Sequence, residues 1–314
     1  MSIFQLEISD FGGFRRYRLF HPELHHAFDV VPAAAANVTE IRFAGTNVLD
    51  GYETPEALRA GKWGKSAILF PFPNRLRDGR YSWHGREYTF PINNAATNNA
   101  IHGFVRHESL DVERIELTRD RASITSRFVA DGRNPAYPFP FILDVTFTIT
   151  ANSEFIANFS VTNQHTESIP IGLGWHPYFR LSPRADDHYL QLPPCERVDI
   201  DERMIPTGKR STYTDFRDER MLGQTQLDTC FAALSSESIV RATLRAEGHA
   251  LAIEASREEF PFFQVFTPPA RTSIAIENMT CNVDAFHNRE GLIELAPGAR
   301  WTGSFKVEHK LEKV

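Results

Sequence analysis

The amino-acid sequence predicts a mainly β protein: a large antiparallel β-sandwich of two packed sheets, formed by a single domain spanning residues 1–314. Three observations carry this expectation. Apolar residues recur at every second position in one segment after another, helix signals are few, and no Gly- or Ser-rich linker, fixed-period repeat or low-complexity tract divides the chain. At ~150 residues per domain the length would allow two, but β-sandwiches of about 200–250 residues commonly form one.

Taken in chain order, residues 1–44 are expected to form strands without further assignment. Thr54 as N-cap, Pro55 at the first helical position and Gly61 as the stop predict a helix of barely two turns. Gly79 to Phe90 places a Gly-containing turn between two aromatic-bearing runs, the pattern of a hairpin, and Pro91 ends it. The clearest period-two segment is Phe141 to Thr150, with Phe141, Leu143, Val145, Phe147 and Ile149 on one face. After a turn at 151–154 the alternation resumes with Phe155, Ala157, Phe159 and Val161. Shorter alternations predict strands at Ala122–Ala130, Ile239–Ala246, Ala250–Ala255, Phe262–Thr267, Thr272–Ile276 and Gly303–His309.

Composition bounds the function. Hydrophobic residues make up 42% and charged ones 24%, enough for a substantial core, and the 25 Phe residues raise aromatics to 12%, a supply of flat surfaces suited to stacking on sugars. A net charge of −6 argues against a nucleic-acid partner, since phosphate-tracking surfaces are basic. Cys195, Cys230 and Cys281 form neither a disulfide framework nor a zinc knuckle. Without an apolar leader in Met1–Phe20 or any run of ~18 apolar residues, a soluble, cytoplasmic protein with no membrane partner is expected.

Phosphate-cradling glycine motifs are missing, as is a Gly-x-Ser-x-Gly elbow, so neither a nucleotide cofactor nor covalent serine catalysis is supported. The His21-Pro22-Glu23-Leu24-His25-His26 run is expected to be a solvated turn, because a proline inside it excludes helical metal-ligand spacing. No metal site is predicted. Four other places put polar residues in apolar or glycine-rich surroundings. Phe70 to Arg75 presents an amide and a guanidinium behind two prolines, and Ile101-His102-Gly103-Phe104 holds a histidine beside a glycine. Gly172 to Phe179 surrounds His176 with aromatics, and Ile274 to Thr280 leads an apolar strand into Glu277. Singly, each is as well explained by a hydrogen-bonded core histidine or a solvated strand end.

Together and in this order, these segments resemble the aldose 1-epimerase, or galactose mutarotase, family. The resemblance rests on Asn74-Arg75 ahead of the Asp78-Gly79-Arg80-Tyr81 hairpin, His102-Gly103, and Gly172 to Phe179. It continues through Thr207-Gly208 with Asp215-Phe216-Arg217, then Asp228, Gln264 and Glu277 to Cys281, so it runs from about residue 45 to residue 300. Phe104 and Asn278 depart from it, where the family often has a glycine and a proline. The resemblance implies a galactose mutarotase-like supersandwich and exchange of the α and β anomers of a free aldohexose, an isomerase of carbohydrate metabolism. It implies Glu277 as base at the C1 hydroxyl, His176 as acid at the ring oxygen, and His102 as a donor near that oxygen. By the same resemblance Asn74, Arg75, Asp228 and Gln264 hold hydroxyls, and Trp175, Tyr178 or Phe179 supplies a stacking wall.

A small-molecule sugar is thus the expected partner of a monomer or homodimer, with no cofactor. The chemistry asks for an ionised carboxylate and a charged imidazole, which mutual attraction would favour. Three other readings stand beside this one, of which a glycosidase with Asp228 and Glu277 as paired carboxylates would leave His102 and His176 idle. A hexose-phosphate 1-epimerase would need several basic side chains at one place, with Arg75, Arg77, Arg80 and Arg106 available. A non-catalytic carbohydrate-binding protein would have no use for both an acid and a base.

Overall fold

The computed structural model describes residues 3–234 and 238–312. Two large antiparallel sheets dominate it. The nine-stranded sheet runs, in spatial order, Asp111–Leu117, Arg121–Ala130, Phe141–Thr150, Glu154–Asn163, Arg300–Leu311, His249–Ser256, Ile239–Ala246, Tyr189–Gln191 and Arg220–Met221. The eight-stranded sheet runs Pro206–Tyr213, Cys195–Ile200, Asp228–Ala233, Phe262–Phe266, Ile274–Met279, Gly174–Trp175 and Ile68–Leu69, with Tyr178–Phe179 also paired to Ile274–Met279. The period-two segments fall where the alternation places them. Phe141, Leu143, Val145, Phe147 and Ile149 are all buried on the inner face. The strand expected at Thr272–Ile276 begins and ends later, at Ile274–Met279.

The two-sheet expectation needs an addition. Residues 5–47, left without detail by the sequence, make a separate five-stranded meander: Gln5–Phe11, Phe14–His21, His26–Val31, Asn37–Phe43 and Thr46–Asn47. Phe28 of this meander meets Phe155 of the nine-stranded sheet edge-on at 5.4 Å. A single hydrophobic cluster runs from Phe4 to Val307 through all three sheets. At its centre Trp175, from the eight-stranded sheet, stacks on Phe155 and Phe305 of the nine-stranded one, at 5.8 and 5.3 Å.

The His21–His26 turn forms with Glu23, Leu24 and His25 exposed, as expected of a solvated turn, but the two histidines that close it are not solvated. His21 and His26 are both buried: His21 Nδ1 accepts from the Leu24 backbone, and His26 lies against Ala44 N and Ser153 Oγ. Paired strands draw these imidazoles under the meander, a tertiary effect that the proline signal does not report. The short helix is Pro55–Ala60, with Thr54 Oγ1 accepting from Ala57 N at 3.2 Å and Gly61 closing it. The hairpin pairs Arg80–Trp83 with Arg86–Thr89, and His84 and Gly85 both take the positive φ that a two-residue turn demands. Among the described residues no helix is long and apolar enough to cross a membrane.

Candidate active site

Register in the eight-stranded sheet gathers the polar side chains. Gln264 is directly opposite Glu277, Cys230 opposite Gln264, and Tyr178 opposite Ala275. Because side chains alternate along a strand, Asp228, Gln264, Phe266, Glu277 and Tyr178 all project from the face away from the core, while Phe231, Phe263, Val265, Ile274 and Ile276 project into it. Two loops complete a cleft of about 370 Å³ over this face. One carries Asn74 and Arg75; the other carries His102, which sits at φ 68 beside Gly103 at φ 61. A side chain at 103 would place its Cβ 2.0 Å from the Phe70 carbonyl oxygen, so the loop closes only over a glycine.

The loops lock to each other by a reciprocal pair: His102 N donates to Asn74 O at 2.8 Å, and Asn74 N donates to His102 Nδ1 at 3.2 Å. A backbone N–H can only donate, so Nδ1 is the acceptor and the ring proton of neutral His102 is on Nε2. Burial, followed by the nearby His176, pulls His102 well below the usual histidine range.

His176 and Glu277 meet at the floor. Nε2 of His176 is 3.3 Å from Oε1 of Glu277, and both side chains are almost wholly buried. The opposite atoms, His176 Nδ1 and Glu277 Oε2, have no partner among the described residues. His176 also stacks flat on Tyr178 at 4.8 Å, and the Tyr178 hydroxyl donates to the Trp63 carbonyl at 2.9 Å.

Burial works against the ion pair expected from the sequence. Burial pushes the Glu277 carboxyl well above its ordinary range, with Asp228 adding to the rise and Arg75 opposing it. Burial pulls the His176 imidazole down to about 3, with Arg106 also lowering it. For both groups desolvation outweighs mutual attraction and favours the neutral form.

A second wall is a closed ring of four side chains. Arg75 Nη1 donates to Asn74 Oδ1 at 2.9 Å, Asn74 Nδ2 to Gln264 Oε1 at 3.1 Å, and Gln264 Nε2 to Asp228 Oδ1 at 2.7 Å. The Asp228 carboxylate then returns to Arg75 Nη2 at 3.7 Å. Burial raises the Asp228 carboxyl against the pull of Arg75. The same four residues form one side of a neighbouring hollow lined further by Arg197, Asp199 and Ser211.

All eight residues singled out from the sequence line this cleft: Asn74, Arg75, His102, His176, Tyr178, Asp228, Gln264 and Glu277. Of the stacking candidates only Tyr178 does. Trp175 and Phe179 are fully buried in the core, because extended backbone turns neighbours of His176 and Tyr178 to the opposite face. Phe104 packs against Phe128, and neither it nor Asn278 lines the cleft, so the two departures from the family pattern stand behind it. Thr207 and Gly208 lie on an exposed stretch of the Pro206–Tyr213 strand, and Phe216 is in the core. The basic cluster that a sugar phosphate would require is not assembled: Arg75 and Arg106 line the cleft, while Arg77 pairs with Asp284 outside it and Arg80 is exposed. Sequence reasoning missed Trp63, 42% exposed at the rim, together with Asn93, Asn94 and Phe266.

Comparison with known proteins agrees with this architecture. The sequence pattern of the family described as aldose 1-epimerase matches residues 30–308. The chain is 27% identical to the uncharacterised protein YihR of Escherichia coli K12 over 87% of each chain. It is also 29% identical to human galactose mutarotase over 50% of this chain and 46% of that one. In fold it is similar to a galactose mutarotase-like protein of Clostridium acetobutylicum, with a TM-score of 0.87 and 18% identity over 98% of this chain and 99% of that one. Galactose 1-epimerase of Lactobacillus acidophilus superposes with a TM-score of 0.83 at 15% identity over 99% and 100%.

Proposed function

The chain belongs to the aldose 1-epimerase family, and from that premise we propose that it interconverts the α and β anomers of an aldose by acid–base ring opening. The observation that carries this reading is the His176–Glu277 contact: an imidazole and a carboxyl 3.3 Å apart at the floor of a polar cleft, each with its far atom free of partners among the described residues.

Ring opening moves two protons. The base takes one from the C1 hydroxyl, the C1–O5 bond breaks as the C1 carbonyl forms, and the acid gives one to O5. With Glu277 as base and His176 as acid, the enzyme must begin with its shared proton on the imidazole and ends with it on the carboxyl. The end state is the one that burial favours in the empty cleft. Burial thus favours the protonation state that accompanies the open-chain intermediate, and on closure Glu277 gives its proton to the C1 oxygen while His176 takes one from O5, which restores the starting state.

Rotation about C1–C2 and closure with the roles reversed then yields the other anomer. His102, its proton on Nε2, is a donor suited to the ring oxygen as negative charge grows there. Arg75, Asn74, Gln264 and Asp228 present a rigid set of planar donors and acceptors to ring hydroxyls, and Tyr178 with Trp63 offers apolar surface to the sugar face.

Polarimetry on freshly dissolved galactose, glucose, xylose and arabinose tests this. Catalysed approach to the equilibrium rotation with at least one of them is the expected result. Saturable binding with no acceleration over the spontaneous rate would leave a carbohydrate-binding protein instead.

A further inference from the structure

Among the described residues, one cation lining the cleft has no counter-charge. Arg106, on the single turn Val105–His107, lines the cleft. Its Nε donates to His107 Nε2 at 3.0 Å; among the described residues its Nη1 and Nη2 donate to nothing, and no carboxylate forms an ion pair with it. The other nearby cations are matched: Arg75 faces Asp228, and Lys65 meets Asp50 at 2.8 Å. Glu277 makes no ion pair with it and contacts His176 instead, and burial raises its carboxyl well above the ordinary range. Arg106 is half-buried, so its free Nη edge can offer an anion in the cleft a two-pronged, charge-assisted contact.

Its position says where on a sugar the anion belongs. A Cβ at Gly64 would lie 3.7 Å from Arg106 Nη1 and 4.0 Å from His176 Cδ2, so guanidinium and imidazole flank the same stretch of backbone. On the other side, Gln264 of the hydroxyl-binding ring is directly opposite Glu277 on the neighbouring strand and is linked to Asn74 and Asp228. Arg106 therefore stands on the imidazole side of the cleft and the hydroxyl-binding ring on the carboxyl side. In a pyranose the ring oxygen joins C1 to C5, and C5 bears the exocyclic carbon. With C1 at Glu277 and O5 at His176, that exocyclic carbon is the substituent nearest to Arg106.

We propose that Arg106 receives a singly charged oxyanion on the exocyclic carbon of the sugar, so that the preferred substrate is an acidic aldose carrying a carboxylate or sulfonate there. This rests on the ring-opening reading above and narrows its substrate. One guanidinium balances one charge. A phosphate dianion calls for a second cation, and Arg77 and Arg80 are turned elsewhere.

The test measures kcat/KM for anomer exchange on glucose, glucuronate, glucose bearing a 6-sulfonate, and glucose 6-phosphate. Wild type is compared with Arg106→Gln and Arg106→Lys, and calorimetric binding of glucuronate and glucose is read in parallel. Wild type is expected to prefer the two monoanions over glucose by ~10–100-fold, the worth of hydrogen bonds to a charged group. That ratio should collapse in Arg106→Gln, return in part in Arg106→Lys, and shrink as salt is raised. A wild-type ratio of one or less, or a ratio untouched by Arg106→Gln, overturns the proposal; glucose 6-phosphate as the best substrate overturns its single charge. Arg106-dependent binding of glucuronate with no exchange on any sugar counts against ring opening alone. Exchange on glucose with no preference for anions counts against Arg106 alone.

Discussion

Replacing Glu277 by Gln tests the protonation state and the chemistry together. The side chain is 1% exposed, and its Oε2 has no partner among the described residues, so an amide of the same shape fits. Above the ordinary glutamate value of 4.5 the unfolded chain ionises this carboxyl, while the native chain keeps its proton. The native state then binds more protons than the unfolded one, so stability falls with rising pH by up to ~1.4 kcal/mol per unit until the buried carboxyl lets go. Glutamine has no such loss. Urea denaturation of both proteins between pH 7.5 and 8.5, above the ordinary histidine value of 6.5, should show the variant gaining on wild type as pH rises. Mutarotation by the variant, followed by polarimetry, should fall by ~10²–10⁴. A stability difference flat in pH would refute the neutral pair, and undiminished turnover would refute Glu277 as base.

His176→Gln is expected to cost a similar factor in kcat, and the double variant with Glu277→Gln little more than either alone, because acid and base act as one unit; additive losses in the same assay would count against a shared proton. In wild type the pH profile of kcat/KM should be flat through neutrality. It should decline on the acid side toward about pH 3, where His176 in the free enzyme takes a second proton, and again in alkali once the pair loses its only one. Gly103→Ala should destabilise the fold by more than about 3 kcal/mol, since the added Cβ falls 2.0 Å from a carbonyl oxygen at a left-handed φ; thermal denaturation reads this directly.

Much of the sandwich was legible because it is built from local alternation. Phe141–Thr150 and Glu154–Asn163 pair as the period-two pattern and the short turn between them require. The Thr54 cap and the His84–Gly85 turn likewise depend on residues within one turn of each other. The meander of residues 5–47 was less legible: Gln5–Phe11 and Phe14–His21 are largely exposed or half-exposed and His26–Val31 is buried on both faces, so none shows clean alternation. Period two also held the correction to the stacking wall: His176 and Tyr178 share a face, and Trp175 and Phe179 must take the other. Trp63, Asn93 and Asn94 come from irregular backbone, where no periodicity points toward the cleft. The neutral His176–Glu277 pair depends on how much water the fold removes, which no spacing of residues records.

Trp175 and His176 are adjacent, one wedged among Phe155 and Phe305 and the other at the cleft floor. The proton donor is thereby anchored to the most crowded aromatic layer of the molecule, and shifting it would mean dislodging an indole from its neighbours. Selectivity has no such anchor: Trp63, Asn93, Asn94 and Arg106 are borne by turns and loops at the mouth. New sugar preferences can therefore be engineered by exchanging those mouth residues, with the reactive centre left in place.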